Sequence, residues 1–288
     1  MIKIDGKTSF VGLLGWPVSH TKSPLLHNAL IEEYGQNLVY LPLPTHPDGV
    51  EAAIKGLPAL GSLGVNVTVP HKQVVMPFLD AIDSAALAIG AVNTIVFEGE
   101  YPTKSTGFNT DWLGFRQDLI EHDVDFSGRD VLILGAGGSA RAVIYALLKH
   151  DCKIYIGARR VAQAVDLLND MLEHFPEASV TPFKLETLSS VASDLSAPLI
   201  INTTPVGMHP NVSASVWPEN LSFPKEAVVY DLIYNPTKTQ LMEQAQKEGC
   251  KTINGLGMLL GQAAEAFRVW TGINPDNDIM VRALNQES

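Results

Sequence analysis

The chain contains 288 residues, carries a formal net charge of -11 and is 46% hydrophobic. Its length suits two domains of roughly 100–200 residues each. The negative charge opposes nonspecific binding to nucleic acid or anionic lipid, and no segment approaches the ~20 consecutive apolar residues that span a bilayer. The N-terminus has no signal-like pattern, and Cys152 and Cys250 have no metal-binding or redox spacing. We therefore expect a soluble cytoplasmic protein that binds neither nucleic acid nor membrane.

The first half of the chain alternates between strand-like and helical segments. Apolar runs typical of strands are FVGLLG, LVYLPL, VNVTV and AVNTIVF. The segments between them, among them PLLHNALIEEYG, GVEAAIKGL and KQVVMPFLDAI, are typical of helices. Such alternation predicts parallel strands joined by crossover helices. Lys72 is expected in the first turn of the KQVVMPFLDAI helix, where the helix dipole disfavours a cation.

The second half begins the pattern again after residue 128. Its segments are VLILGAGGSARAVIYALLKHD, KIYIGARR, a helix near 161–174, PLIIN, VVYDLI and TQLMEQAQKEG, which predict a separate wound sheet. A last helix, at about 256–271, is expected to return to the first domain. The predicted organisation is an N-terminal α/β domain with a mostly parallel sheet, residues 1–110 and 256–288, and a Rossmann-type dinucleotide-binding domain, residues 111–255.

The segment GAGGSA predicts a dinucleotide site. It places Gly135, Gly137 and Ala140 in the G-x-G-x-x-A spacing between an apolar strand and a helix. Small residues there let backbone amides and the helix N-terminus approach a pyrophosphate. Any tight turn from a strand to a helix uses glycine, but this context favours the dinucleotide.

The nucleotide is expected to be NADP. The strand KIYIG ends at Ala158-Arg159-Arg160, and no acidic residue follows before Asp166, whereas NAD would need an acidic residue for its ribose hydroxyls. Two guanidinium groups can instead hold a 2′-phosphate by bidentate hydrogen bonds. The alternative, a solvated arginine pair at a helix start, is an electrostatically poor position for cations.

Polar residues occur where a ligand rich in hydroxyl groups would need them. Thr21 and Ser23 lie in the loop beyond the first strand, although Ser23 with the proline behind it is also a typical helix start. Asn66 and Thr68 alternate with valines, so both leave the same face of a central strand, and Asn93 repeats this pattern. Polar side chains in buried strands need hydrogen-bond partners.

Three further residues have both a structural and a functional interpretation. Asp111 opens a predicted helix and is able to cap it. Gln262 lies at the centre of the apolar stripe of the last helix, so its amide is expected to need a buried partner. His71 is expected in packing or at the surface, because strand alternation turns it away from Lys72. The eight histidines have no zinc-binding spacing, and there is no GxSxG elbow, so no metal site is expected.

Together these segments resemble the shikimate dehydrogenase family nearly from end to end. The segments that carry the resemblance are GWPVSHTKSPLLHN, NVTVPHK, GAVNT, GFNTDWLGF, GAGGSARA, NTTPVGM, DLIYNP and GLGMLLGQAAEAFRVWTG. The resemblance implies an α/β substrate domain and a Rossmann domain that face each other across a cleft. It also implies the interconversion of 3-dehydroshikimate and shikimate with NADP(H), a step of aromatic amino acid biosynthesis.

The resemblance further implies roles for individual residues. Lys72 and Asp111 would form a catalytic acid-base pair. The substrate, a small molecule, would be bound by Thr21, Ser23, Asn66, Thr68, Asn93, Tyr234 and Gln262. The cofactor would be bound by Gly135, Ala136, Gly137, Gly138, Ser139, Ala140, Arg159, Arg160, Thr203 and Gly255. A homodimer is left open.

Two positions depart from the family pattern. Thr21 stands where serine is usual, and its added methyl group leaves the breadth of substrates open. At Ala158-Arg159-Arg160 the usual pattern is asparagine-arginine followed by serine or threonine, and the second cation in this chain favours a phosphate.

The implied chemistry gives a reason for a cation at residue 72. Hydride transfer to a ketone carbon leaves charge on the oxygen, and a donor already directed at that atom stabilises it. The sequence leaves open which member of the Lys72 and Asp111 pair transfers the proton.

Two alternative functions remain at this stage. One is a dehydrogenase for quinate, or for both quinate and shikimate, that uses NAD or NADP. The other is a noncatalytic homologue that senses the same ligands. Retention of both Lys72 and Asp111 disfavours the sensor, because binding alone does not require that pair.

Overall fold

The computed structural model describes residues 3–100 and 103–286. It divides into two compact units, which we call unit 1, Met1–Gly114 with Leu260–Ser288, and unit 2, Phe115–Leu259. Each unit contains one six-stranded sheet with helices. The predicted α/β fold class is therefore confirmed for both halves of the chain.

Unit 1 has a mixed, mostly parallel sheet. Its strands are β1 (Ser9–Gly15), β2 (Leu38–Pro44), β3 (Ser62–Val67), β4 (Ala81–Ile82), β5 (Thr94–Glu98) and β6 (Lys104–Phe108). They lie in the order β2-β1-β3-β5-β6-β4. Among these strands β5 alone runs against the others, because it pairs antiparallel with both β3 and β6. At β5 and β6, which follow each other in the chain as antiparallel neighbours, the sheet departs from the predicted arrangement of parallel strands joined by helices.

Four α-helices begin among the described residues up to position 121. They are α1 (Ser23–Glu33), α2 (Val50–Gly56), α3 (Ser84–Ile89) and α4 (Asp111–Glu121). The helix predicted for KQVVMPFLDAI is wrong, since this segment forms turns, a single 3-10 turn at Met76–Phe78 and the short strand β4. Pro77 lies inside the segment, and proline supplies no N–H for a continuing α-helix. Lys72 therefore lies in a turn and not at a helix start.

Unit 2 has a wholly parallel sheet in the doubly wound order. Its strands are β7 (Asp130–Leu134), β8 (Lys153–Ala158), β9 (Val180–Lys184), β10 (Leu199–Asn202), β11 (Val228–Asp231) and β12 (Lys251–Asn254). They lie in the order β12-β11-β10-β7-β8-β9, and each neighbouring pair is parallel. This is the strand order of Rossmann folds, so the Rossmann-type fold predicted for the second half is confirmed.

Helices of unit 2 connect these strands. They are α5 (Gly138–Leu148), α6 (Val161–Leu172), α7 (Leu188–Ser193) and α8 (Gln240–Lys247). The strands read as continuous apolar runs because both faces of the sheet are covered: Leu132, Ile133, Ile200 and Val229 have no measurable exposure. Each such aliphatic side chain contributes roughly 1.5–3 kcal/mol by leaving water.

Two helices complete the chain, α9 (Leu256–Thr271) and α10 (Asn277–Gln286). The bounds of α9 agree with the helix predicted at about 256–271, and its buried stripe contains Met258, Leu260, Ala263, Ala266 and Phe267. Near its end, Trp270 Nε1 donates to the carbonyl oxygen of Ile95 on β5 at 3.0 Å. In the described ranges, no helix combines the length and the apolar character needed to cross a membrane.

Candidate functional site

A lysine and an aspartate form a close ion pair in unit 1. Lys72 Nζ lies 2.6 Å from Asp111 Oδ2, and the two side chains are 15% and 8% exposed. The carbonyl oxygen of Lys72 accepts a hydrogen bond from the Val92 amide at 2.8 Å, which fixes the backbone of the lysine. Because an ammonium group has three N–H donors, Lys72 retains donors beyond the one given to Asp111.

The start of α4 explains the orientation of the Asp111 carboxylate. Asn109 Oδ1 accepts a hydrogen bond from the Asp111 amide at 3.1 Å, so Asn109 satisfies the first backbone N–H of the helix. Among the described residues the Asp111 carboxylate bonds to Lys72 and Asn93 and to no backbone N–H, so the capping role considered for Asp111 is wrong. Its second carboxylate oxygen, Oδ1, accepts a hydrogen bond from Asn93 Nδ2 at 2.8 Å, and both oxygens are held by side chains outside the helix.

The amide of Asn93 has a single consistent orientation. Its Oδ1 accepts from the Thr110 backbone N–H at 2.8 Å, which assigns Nδ2 to the side that faces Asp111. The hydroxyl of Thr94 also donates to Asn93 Oδ1, at 3.0 Å. Asn93 thus joins the start of α4 to the start of β5.

Asn66 continues these contacts across the sheet. In the antiparallel pair of β3 and β5, Asn66 lies opposite Thr94, and its Nδ2 donates to Thr94 Oγ1 at 3.1 Å and to the Asn93 carbonyl at 3.3 Å. Its Oδ1 accepts from the hydroxyl of Tyr40 at 2.8 Å. Asn66 is 5% exposed, so the partners expected for a polar residue in this buried strand are present.

Thr21 and Ser23 form a local turn before α1. The Ser23 amide donates to Thr21 Oγ1 at 3.2 Å, and the Thr21 hydroxyl donates to Ser23 Oγ at 3.1 Å. Ser23 is the first helical residue, and Lys22 at the cap position makes no side-chain cap. The N-cap expected of Ser23 is wrong, because Thr21 satisfies the Ser23 amide instead.

These contacts join into one chain of hydrogen bonds, which we call the polar network. Its members, in order of contact, are Tyr40, Asn66, Thr94, Asn93, Asp111 and Lys72. The hydrogen-bonded pair of Thr21 and Ser23 lies outside this network, at the start of α1. All of them belong to unit 1. In the sheet of unit 1, β1 lies between β2 and β3, so the winding direction changes at β1. Open α/β sheets bind ligands at such a switch point, and the network lies beside it.

The remaining predicted substrate residues have different positions. Thr68 follows β3 directly, is half-buried, and its amide donates to the Leu14 carbonyl at 2.9 Å. Gln262 lies on α9, where its backbone carbonyl accepts from the Thr110 hydroxyl at 3.0 Å. Tyr234 is a half-buried residue of unit 2, in the segment that follows β11.

His71 is buried and is not part of the polar network. Its Nε2 donates to the carbonyl oxygen of Thr45 at 2.8 Å. This contact ties the turn after β3 to the end of β2, in agreement with the packing role expected for His71.

In unit 2, the glycine turn lies between β7 and α5. Gly135 has φ +118°, and a Cβ at this position would collide with Thr203 Oγ1. The amide and the hydroxyl of Thr203 both donate to the Leu134 carbonyl, at 2.9 and 3.0 Å. The turn therefore requires glycine at 135 and brings the carboxyl ends of β7 and β10 together, the point at which the winding direction of this sheet changes.

The start of α5 is open. Gly137 occupies the cap position with an extended backbone and provides no side-chain cap. A Cβ added at Gly137 or Gly138 would meet nothing within 4 Å, and Ser139 and Ala140 continue the first turn. Backbone N–H groups at such a helix start bind phosphate, so the residues present fit the pyrophosphate of a dinucleotide.

The two arginines lie at the end of the neighbouring strand. Arg159 and Arg160 follow β8 directly and are both exposed. Within the described part of the chain neither guanidinium has a hydrogen-bond or ion-pair partner, so their donors remain available to a phosphate. Gly255, by contrast, is buried where a Cβ would collide with the Leu232 carbonyl.

Comparison with known proteins places these features in a family. The model of the shikimate dehydrogenase substrate binding domain matches residues 13–95, and that of the shikimate 5'-dehydrogenase C-terminal domain matches residues 255–284. A relative named shikimate dehydrogenase (NADP(+)), from Moorella thermoacetica, is 42% identical over 99% of this chain and 96% of its own length. The chain belongs to the shikimate dehydrogenase family.

Solved structures agree with this assignment. Shikimate 5-dehydrogenase from Thermus thermophilus, crystallised with NADP(H) and shikimate, is 33% identical, with a TM-score of 0.84 over 97% of this chain and all of its own. Quinate dehydrogenase from Corynebacterium glutamicum, crystallised with NAD, is 28% identical, with a TM-score of 0.88 over 97% of this chain and 99% of its own. The resemblance seen in the sequence motifs is confirmed, and the NADP in the names of relatives agrees with the cofactor expected from Arg159 and Arg160.

Several residues that contact the predicted site residues were missed by sequence reasoning. Tyr40, Thr94, Asn109 and Thr110 were given no role, although each bonds to a predicted site residue. The signal for Tyr40 was a hydroxyl group in the otherwise apolar run LVYLPL. For Asn109 and Thr110 it was a pair of polar residues directly before Asp111.

Proposed function

We propose that the chain catalyses the reversible, NADP-dependent reduction of 3-dehydroshikimate to shikimate in aromatic amino acid biosynthesis. Unit 1 would bind the substrate and unit 2 the cofactor. The observation that carries the proposal is the ion pair between Lys72 and Asp111, at 2.6 Å and shielded from water. A pair so placed serves proton transfer at a substrate oxygen.

Lys72 and Asp111 have complementary tasks in this proposal. NADPH, when bound, supplies the hydride that converts the ketone carbon to an alcohol carbon. Lys72 donates a hydrogen bond to the ketone oxygen, stabilises the charge that develops there and delivers the proton. Asp111, held by Asn93, fixes the ammonium group and accepts a hydrogen bond from the product hydroxyl. In the reverse direction the same pair removes the hydroxyl proton.

Substrate binding is proposed for the polar residues of unit 1. Thr21 and Ser23 would bind the substrate carboxylate, to which their hydroxyl groups are able to donate. The ring hydroxyls would be bound by Asn66, Thr68, Asn93 and Gln262. A further substrate contact is proposed for Tyr234. Hydroxyls and amides suit this ligand because a triol needs both donors and acceptors around it.

Cofactor binding is proposed for the glycine turn and its neighbours. The backbone of residues 135–140 would hold the pyrophosphate at the start of α5. Arg159 and Arg160 would hold the 2′-phosphate that distinguishes NADP from NAD. Thr203 and Gly255 would line the same site, from the ends of β10 and β12.

A dehydrogenase of quinate, or of both acids, is the second candidate. Two observations favour it, the likeness to a quinate dehydrogenase crystallised with NAD and threonine in place of the usual serine at Thr21. The functions are separated by the absorbance of reduced nicotinamide after mixing the protein with shikimate or quinate, each with NADP or NAD. We expect the fastest reduction with shikimate and NADP, and faster reduction with quinate would favour the second candidate.

A silent assay would contradict both dehydrogenase proposals. If all four mixtures gave no reduced nicotinamide while calorimetry detected tight binding of shikimate, the noncatalytic sensor would be favoured instead.

For location, we propose the cytoplasm, where free cysteines such as Cys152 and Cys250 persist. Fractionation of the source cells would test it. A homodimer stays a prediction that analytical ultracentrifugation would test.

A further inference from the structure

A buried tyrosine lies at one end of the polar network of unit 1. Tyr40, on β2, is 1% exposed. Its hydroxyl contacts Asn66, near the end of β3, and its backbone contacts α1, the helix that begins at Ser23. Ser23 and Asn66 belong to different parts of the proposed substrate site, since Ser23 would bind the carboxylate and Asn66 a hydroxyl.

The backbone of Tyr40 is held by an amide on α1. The Tyr40 N–H donates to Asn28 Oδ1 at 2.8 Å, and Asn28 Nδ2 donates to the Tyr40 carbonyl at 3.1 Å. One side chain thus satisfies both backbone polar groups of the tyrosine. The backbone of β2 at Tyr40 is therefore fixed relative to α1, the helix that begins at Ser23.

The ring of Tyr40 is held by the preceding residue of α1. The His27 ring stacks on it with centroids 4.3 Å apart and an interplanar angle of 2°. His27 is fully buried, and burial lowers the pKa of His27 to about 3, with the Asn66 side chain partly opposing this shift. A neutral ring therefore covers one face of the phenol and leaves it no freedom to swing away.

The phenol group of Tyr40 acts as a hydrogen-bond donor. It donates to Asn66 Oδ1 at 2.8 Å. Burial raises the pKa of Tyr40 well above its ordinary value, so the phenol keeps its proton and is able to donate. Since both hydrogens of Asn66 Nδ2 are directed at Asn93 and Thr94, the Tyr40 hydroxyl fixes the remaining end of that amide.

We propose that Tyr40 is a positioning residue for substrate binding, which holds Asn66 in a fixed place relative to α1, the helix that begins at Ser23, before the substrate arrives. The proposal rests on the proposed function, because it assigns Ser23 and Asn66 to the substrate. Tyr40 does not contact Lys72 or Asp111, which are held by Asn93, Asn109 and the backbone of residue 72. Its loss is therefore expected to weaken substrate binding and to leave the chemical step nearly unchanged.

The test is the variant Tyr40→Phe, which keeps the ring and its stacking on His27 and removes only the hydroxyl. Loss of a hydrogen bond of ordinary strength predicts a roughly 3- to 10-fold rise in KM for shikimate. We expect kcat to stay within about 2-fold and KM for NADP to be unchanged. A fall in kcat at constant KM, or an unchanged KM, would overturn the proposal.

A second buried tyrosine provides the matched control. Tyr230 on β11 has no exposed surface and donates to the Asp118 carboxylate, so Tyr230→Phe also removes one buried phenol hydroxyl. This variant is expected to lower Tm while leaving KM for shikimate at the wild-type value. An equal rise of KM in both variants would mean that KM reports a general loss of stability, and the proposal would fail.

A double-mutant cycle tests whether Tyr40 acts through Asn66. In the Asn66→Ala background, Tyr40→Phe is expected to raise KM by less than about 2-fold, because the group that it orients is already absent. The same rise in both backgrounds would contradict the proposal.

An inactive wild-type protein would contradict the proposed function. The hydrogen bond between Tyr40 and Asn66 would then be tested by measuring Tm alone. The losses of Tm in Tyr40→Phe and Asn66→Ala are expected to be non-additive, since the residues contact each other. Additive losses would show that the hydroxyl does not hold the amide.

Discussion

The candidate sites of the two units are built in opposite ways. In unit 1 the polar network consists mainly of buried side chains that bond to one another, from Tyr40 at one end to Lys72 at the other. In unit 2 the glycine turn offers backbone amides beside open space, and the two arginines that follow β8 are exposed. The site in unit 1 is held in place by hydrogen bonds between side chains. The site in unit 2 depends on glycines that leave backbone amides open to a ligand.

This difference predicts how each site responds to change. A buried network loses function or stability when a single atom is removed, because each group has a specific partner. A backbone site tolerates many side-chain changes but is blocked by an added Cβ or weakened by a lost charge. The predictions below follow from this contrast.

The largest effect is expected from Lys72→Ala. Removal of the proposed proton donor lowers kcat by roughly 10²–10⁴-fold, the usual contribution of general acid-base catalysis, and leaves the Kd for NADP unchanged. The control is Lys55→Ala, since Lys55 is a largely exposed lysine that pairs with Glu51 on the surface. Turnover of Lys72→Ala within a few-fold of wild type, in the nicotinamide absorbance assay, would exclude the acid-base role.

The next effect concerns the exposed arginines of unit 2. Replacing both Arg159 and Arg160 by alanine removes charged hydrogen bonds worth roughly 1.5–3 kcal/mol to a phosphate, so KM for NADP should rise about 10- to 100-fold while KM for NAD changes little. Lys153→Ala, at the other end of the same strand and also exposed, is the control for net charge. Equal losses for NADP and NAD would contradict recognition of the 2′-phosphate.

An acid-dependent effect is expected in unit 1 from His27. Its folded-state pKa of about 3 lies below the ordinary value of 6.5, so the unfolded chain binds the extra proton and stability falls as the pH drops from about 6.5 towards 3. Between about pH 7 and about pH 5 the loss is about 2 kcal/mol. Urea unfolding should show that His27→Phe lacks this loss, whereas His46→Gln, at an exposed histidine, retains it.

The smallest effect is expected from Gly137→Ala. Because φ is -92° and nothing lies within 4 Å of the added Cβ, the variant should fold with an unchanged Tm. The methyl group would occupy space needed by a pyrophosphate, so the Kd for NADP, measured by calorimetry, should rise about 3- to 10-fold. Gly49→Ala is the control, another glycine before a helix with φ -99° and open surroundings. An unchanged Kd would place the pyrophosphate elsewhere.

Periodicity was sufficient to predict elements that are long or wholly apolar. Strands β7 and β8 and the helix α9 agree with their predicted segments because burial on the sheet or on one helix face forces the pattern. It failed for β4, which has two residues, and for β9, whose sequence VTPFK contains a proline. Short and outer strands bury too little to leave a clear signal.

Prediction of the site divides in the same way. The glycine turn could be predicted because its spacing is local, and conformational freedom at Gly135 has no substitute. The contacts of Asn66 could not, since they depend on the register that sets it opposite Thr94 and on a tyrosine 26 residues away. Sequence reasoning therefore found which polar residues needed partners, and the pairing of strands determined which partners they have.

The amide of Asn28 has a consequence for association between copies of the chain. β2 is an outermost strand of its sheet, and such strands can template the addition of another strand. At Tyr40 the backbone N–H and carbonyl that face away from β1 are both hydrogen-bonded to the side chain of Asn28. Alternation directs residues 42 and 44 the same way, and both are prolines without an N–H. From Tyr40 to Pro44 the open edge of β2 therefore offers no free N–H donor to another strand. This edge is expected to resist the edge-to-edge strand pairing that leads to aggregation.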